Sequence, residues 1–91
     1  MEVMLKNLDR NKIIYGIYHG NVLGYIGQTS DFFRRKFRHL NPVRRKARRV
    51  DIWLNSVSKN VYFKILEECK WYESRKREIY WKRKLNPIVI D

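Results

Sequence analysis

The sequence predicts an α+β domain: a small three-stranded β-sheet, antiparallel or mixed, flanked by helices in the order β-β-α-α-β-α. Three observations carry that expectation. Residues 13 to 19 and 22 to 26 are rich in β-branched and aromatic types and flank Gly20-Asn21, which is hairpin chemistry. Apolar residues then recur at helical spacing through two consecutive segments. VYFKIL, residues 61 to 66, returns to strand alternation before a long charged stretch.

Taken in order, the hairpin comes first. Thr29 or Ser30 can cap the next segment, with Asp31 in its first turn, and Phe33, Phe37 and Leu40 give a first helix over about 31 to 40. Asn41-Pro42 stops it and can open another. Val43, Ala47, Val50, Leu54 and Val57 keep the period of a second helix over 43 to 56, which Ser58-Lys59-Asn60 breaks. After the strand at 61 to 66, a final helix is expected from about Glu67 to Leu85, ending at Asn86-Pro87. Residues 1 to 91 show no internal repeat, low-complexity linker or boundary, so a single domain is expected.

The charge narrows the function. Lys and Arg number 21 against 9 Asp and Glu, a net +12 with a pI near 10.2. Folding does not require that excess, and a polyanion partner explains it, with nucleic acid ahead of a membrane surface or an acidic protein. The lone Cys69, with only His19 and His39 beside it, excludes an intrachain disulfide and a Cys-based zinc cluster and suits a reducing compartment. The charged start argues against a signal sequence. No apolar run approaches the roughly 18 residues of a membrane span, so a cytoplasmic protein without membrane attachment is expected.

The chemistry gathers around YGIYHGNVLGYIG, residues 15 to 27, and the adjoining QTSDFFRRKFRHL. Arg35 and His39 are i,i+4 on the first helix and share a face, leaving Phe33 and Phe37 a different sector expected to face the core. A guanidinium is a planar fork of donors matched to phosphate oxygens, so Arg35 suits a scissile phosphate and the charge it gains in the transition state. The basic run Arg44, Arg45, Lys46, Arg48 and Arg49 lies largely outside the apolar stripe of the second helix. It suits contact with a nucleic-acid backbone, against the plainer reading of a solvated helix face.

In the order and spacing of these motifs, with a glutamate on the last helix, the chain resembles the GIY-YIG nuclease superfamily. Tyr25-Ile26-Gly27-Gln28-Thr29 looks like its second motif; Arg35, ten residues after Tyr25, matches its catalytic arginine, and His39 the His or Tyr often found four residues later. The first motif is ambiguous. Gly16-Ile17-Tyr18 is the literal match, yet Tyr18 precedes Tyr25 by only seven residues whereas Tyr15 precedes it by ten, closer to the family's spacing. Register offers a physical test. A three-residue turn His19-Gly20-Asn21 would set Tyr15 opposite Tyr25, and a two-residue Gly20-Asn21 turn would put Tyr18 on Tyr25's face.

For the family's metal-binding carboxylate, Glu78-Ile79-Tyr80-Trp81 fits best and Glu73 is the alternative. The family's downstream asparagine is not matched from Glu78: twelve residues on is Ile90, and Asn86 lies eight beyond Glu78 and thirteen beyond Glu73. The resemblance implies a metal-dependent endonuclease acting on DNA, double-stranded above all, using Mg²⁺ or Mn²⁺. Tyr15, Tyr25, Arg35, His39 and Glu78 would form the site, with a hairpin tyrosine as general base. Both a monomer and a homodimer are compatible with it, and a compact autonomous nuclease would suit a phage or mobile element. The competing expectations are an inactive nucleic-acid-binding module of the same fold and a ribosomal-type RNA-binding protein.

Overall fold

The structure, a computed structural model, describes residues 11–41 and 48–90. Strands β1 (Asn11–His19), β2 (Val22–Thr29) and β3 (Tyr62–Lys70) form one sheet in the order β2-β1-β3, with both pairings antiparallel. Helices α1 (Phe32–Leu40) and α2 (Arg49–Ser56) come after the hairpin; a short 3₁₀ turn (Trp71–Glu73) leads from β3 into α3 (Ser74–Leu85). The β-β-α-α-β-α order matches expectation, and the sheet is antiparallel throughout.

Central strand β1 is buried on both faces, and each face has its own core. Tyr15, Ile17 and Tyr25 pack with Val50 and Leu54 of α2 and with Val89, flanked by Phe32, Trp53 and Phe63. On the opposite face Ile14, Ile26 and Cys69 pack with Leu23, Leu66 and, from α3, Trp81 and Leu85. The sheet is therefore sandwiched between helices.

The hairpin resolves the register question in a way neither expectation contained. The turn is the two-residue one, His19 pairing with Val22 and Tyr18 with Leu23, and Gly20 supplies a φ of 61°. The register then shifts by one residue, because Gly24 is an extra residue in β2, so that Ile17 pairs with Tyr25 and Tyr15 with Gly27. This bulge returns Tyr15 to Tyr25's face, and Tyr18 falls on the other, stacked on Tyr62 at 5.3 Å. Any side chain at Gly24 would run into the Trp53 ring of α2. Beside it, the segment after α3 closes the outer edge of β2: the Ile88 and Val89 amides donate to Leu23 O at 3.2 Å and Gly24 O at 2.7 Å. Arg49 Nη1 donates to Ile90 O at 3.0 Å.

Several element boundaries differ from expectation. Asp31 is itself the cap of α1, its carboxylate accepting from Arg34 N at 3.1 Å, while the Thr29 hydroxyl accepts from Asp31 N at 3.0 Å. β3 runs through Glu67, Glu68 and Lys70, so the last helix begins at Ser74 and not near Glu67. Pairing with Ile14, Ile13 and Asn11 holds these polar residues in the ladder, against their helical propensity. α2 is described from Arg49; the expected helical start at Val43, and with it Arg44, Arg45 and Lys46, lies outside the described residues. Phe33 and Phe37 do not face the core: they are 80% and 64% exposed. The inward side of α1 is the one carrying Phe32, Arg35 and His39.

Candidate active site

The site builds outward from Tyr15. Fully buried on β1, it points its ring at Phe32, Phe63, Tyr25 and His39. Its hydroxyl lies 2.7 Å from His39 Nε2, and His39, only 2% exposed, also meets Tyr25 with ring centroids 5.6 Å apart. Across the strand pair sits Gly27, where a Cβ would lie 2.6 Å from the Tyr15 hydroxyl. The glycine of the YIG-type motif is thus a steric requirement: only a hydrogen at that position leaves the tyrosine its place.

Burial pushes the Tyr15 phenol up to about 12, because the low-dielectric core disfavours the phenolate. Arg35 works in the other direction through its charge and a hydrogen bond to the phenol, Arg48 adds a weaker pull, and Glu78 pushes the value further up.

Gln28 links these groups across the sheet. Its carbonyl oxygen accepts from Arg35 Nη1 at 3.3 Å, on the layer of α1. Its side-chain amide donates to Glu78 Oε1 at 2.8 Å, on the layer of α3. Glu78 Oε2 is also paired with Lys82 Nζ at 3.0 Å, one turn along the helix. Gln28 lies near the end of the edge strand β2, so groups from both helix layers meet around one edge of the sheet.

The structure accordingly brings Tyr15, Tyr25 and His39 into contact, with Arg35 and Glu78 joined through Gln28. Tyr18 lies on the opposite sheet face. Glu73 is exposed in the 3₁₀ turn and contributes to the electrostatics of Cys69, whose thiol is pushed up first by burial and then by Glu67 and Glu73. Arg48 is exposed and faces Asp51 at 3.9 Å, and Arg49 is occupied with Ile90 O. Asn86 is an exposed left-handed cap of α3 at φ 50°. Gln28, part of the second motif, is the residue to which the sequence alone assigned no role. Its signal was its place directly after Tyr25-Ile26-Gly27, on the face opposite the tyrosines.

Among the described residues no three His, Cys, Asp or Glu side chains cluster as a ready-made metal cage. A single carboxylate is nonetheless a fitting anchor for a hard divalent cation, which commonly keeps several waters and takes further oxygens from substrate phosphate. An ionised carboxylate has about four lone-pair sites, and Gln28 and Lys82 together engage only some of them.

The site thus sets a buried tyrosine–histidine pair on the central strand beside an arginine and a carboxylate that Gln28 links at the edge of the sheet. The GIY-YIG catalytic domain model matches residues 11–89, and the chain belongs to the GIY-YIG family of nuclease domains. The fold is similar to that of a point mutant of the GIY-YIG N-terminal endonuclease domain of UvrC from Thermotoga maritima, bound to its catalytic divalent cation. The likeness has a TM-score of 0.60 at 17% identity and covers 99% of this chain and 97% of that one. No curated protein matches the chain by sequence. Among the described residues, no helix is long and apolar enough to cross a membrane.

Proposed function

We propose that the protein is a metal-dependent endonuclease that hydrolyses phosphodiester bonds in DNA. The observation that carries this reading is the linkage through Gln28, which ties Arg35 to Glu78 beside the Tyr15–His39 pair. The +12 charge suits a polyanionic substrate.

Glu78 would hold the cation, Mg²⁺ or Mn²⁺. When bound, it would neutralise phosphate charge and stabilise the leaving oxygen. Arg35 directs its guanidinium fork at the non-bridging oxygens of the scissile phosphate, where charge develops. Tyr15 receives the proton of the attacking water while passing its own to His39 Nε2, given the imidazole tautomer protonated at Nδ1. This transfer avoids the free phenolate that burial disfavours. Tyr25 packs against His39 and fixes its ring. Gln28 holds the Glu78 carboxylate in one orientation, and Lys82 shares that charge until substrate arrives.

The test is plasmid cleavage in Mg²⁺ and in Mn²⁺ by wild type, Tyr15→Phe, Glu78→Ala and Glu73→Ala, each first shown to be folded by circular dichroism. Wild type should cut. Tyr15→Phe should lose about 10²- to 10⁴-fold in rate, Glu78→Ala should be inactive, and Glu73→Ala should keep its activity. A folded wild type that binds DNA and cuts it with neither metal would instead be a binding module built on a nuclease fold.

A further inference from the structure

A second feature of α1 adjoins the group just described. Thr29, Ser30, Asp31, Arg34, Arg35 and Arg38 line a cavity of about 170 Å³ where the end of β2 meets the helix. That is several times the roughly 30 Å³ a water occupies in the liquid. Three arginines line it against one aspartate. Among the described residues, no ion pair joins any of the three arginines to a carboxylate; the ion pairs found there use Arg48, Arg77 and Lys82. The Asp31 carboxylate is engaged locally as the cap of α1, through Arg34 N.

Three like charges around one cavity repel one another, and an anion between them relieves that repulsion. Guanidinium is suited to phosphate in particular, since its donors can meet two oxygens at once. Arg34 and Arg38 are i,i+4 and share one side of the helix, while Arg35 both lines the cavity and reaches Gln28 O in the candidate active site. The two sites are therefore contiguous, with Arg35 between them.

Building on the nuclease reading, we propose that this cavity is a second phosphate subsite, in which Arg34 and Arg38 hold the phosphodiester next to the scissile one. It fixes the strand's path over α1, so that the scissile linkage arrives at Arg35 in register. Its ligand is a backbone phosphate, read without regard to base.

The test measures binding in EDTA, so it does not depend on cleavage. A duplex just long enough to hold one protein in one register is prepared in versions that each carry one neutral methylphosphonate linkage, the linkage being moved along the strand. Affinities are measured for wild type, the Arg34→Ala/Arg38→Ala double variant and the Arg34→Lys/Arg38→Lys double variant. Both arginines are exposed, so the variants should fold, which near-ultraviolet circular dichroism checks. Wild type should lose about tenfold in affinity when one particular linkage is neutral, as expected for a charge-assisted hydrogen bond. The alanine variant should bind the unmodified duplex about tenfold more weakly and be insensitive at that linkage. Its slope of log affinity against log salt should be shallower by about 1. The lysine variant should recover the slope but only part of the affinity. A double alanine variant that keeps wild-type sensitivity at every linkage would overturn the proposal, as would one with undiminished affinity. Inorganic phosphate that displaces the duplex at millimolar concentration from wild type and alanine variant alike would also refute it. If wild type fails to cleave in Mg²⁺ or Mn²⁺ yet shows the linkage-specific loss, the nuclease reading fails and the subsite stands.

Discussion

At the scale of single residues, the proposed mechanism leans on Tyr15 and Gln28. Tyr15 has a protonation state set by burial, with its phenol at about 12 against an ordinary 10.0. The folded protein holds that proton more tightly than the unfolded chain does. The resulting stabilisation is present in full below pH 10 and is lost as pH rises from there through about 12. Two units correspond to roughly 2–3 kcal/mol. Unfolding by urea from pH 9 to 12 should show this decline, and Tyr15→Phe should flatten it; equal slopes for the two proteins would mean the phenol is not desolvated. Gln28 acts through a neighbour. Gln28→Ala leaves the Glu78 carboxylate without its amide donor, and the concentration of Mg²⁺ or Mn²⁺ needed for half-maximal cleavage should rise about tenfold or more. Loss of cutting with no change in that requirement would assign Gln28 a different role.

At the scale of elements, the bulge at Gly24 decides which tyrosine shares a face with Tyr25. Gly24→Ala should drive a methyl group into Trp53 and cost about 1–3 kcal/mol, as overpacking does. The activity that remains should fall more than the folded fraction does, because β2 carries both Gly27 and Gln28. A thermal melt paired with a cleavage assay checks both. The bulge also marks where sequence reasoning reached its limit. Turn chemistry at Gly20-Asn21 identified the loop, and motif spacing favoured Tyr15, but the two were compatible only through one extra residue that no local propensity announces. The exposure of Phe33 and Phe37 was hidden for a different reason. A helix whose inner side carries Arg35 and His39 reverses the usual assignment of polar residues to solvent, and periodicity finds a stripe without saying which stripe is buried. Glu67 to Lys70 read as helix because charge masked the alternation. The structure shows what keeps Glu67 in the strand layer: burial raises its carboxyl, but hydrogen bonds from Trp81 and Arg77 outweigh that and hold it below the usual value.

Across the whole molecule, what was legible was the element order, because strong patterns bounded by Gly, Pro and Asn specify segments well. The meeting of α1 and α3 around β2 was not legible, since it depends on which sheet face each helix covers. The molecule's charge has its own expected outcome. With about five phosphate contacts, DNA affinity should fall by roughly two to three decades between 50 and 200 mM salt, and fluorescence anisotropy across that range measures it. A nearly flat response would mean that the +12 charge is not directed at a nucleic-acid backbone.

The segment after α3 sets an order of events in time. The hairpin of β1 and β2 is local in sequence and can pair early, whereas β3 reaches β1 across some fifty intervening positions, a pairing that loop-closure entropy delays. Val89 belongs to the same core as Tyr15, and the amides of Ile88 and Val89 close the edge on which Gln28 lies. A growing chain emerging from the ribosome therefore cannot finish this core until residue 89 is free.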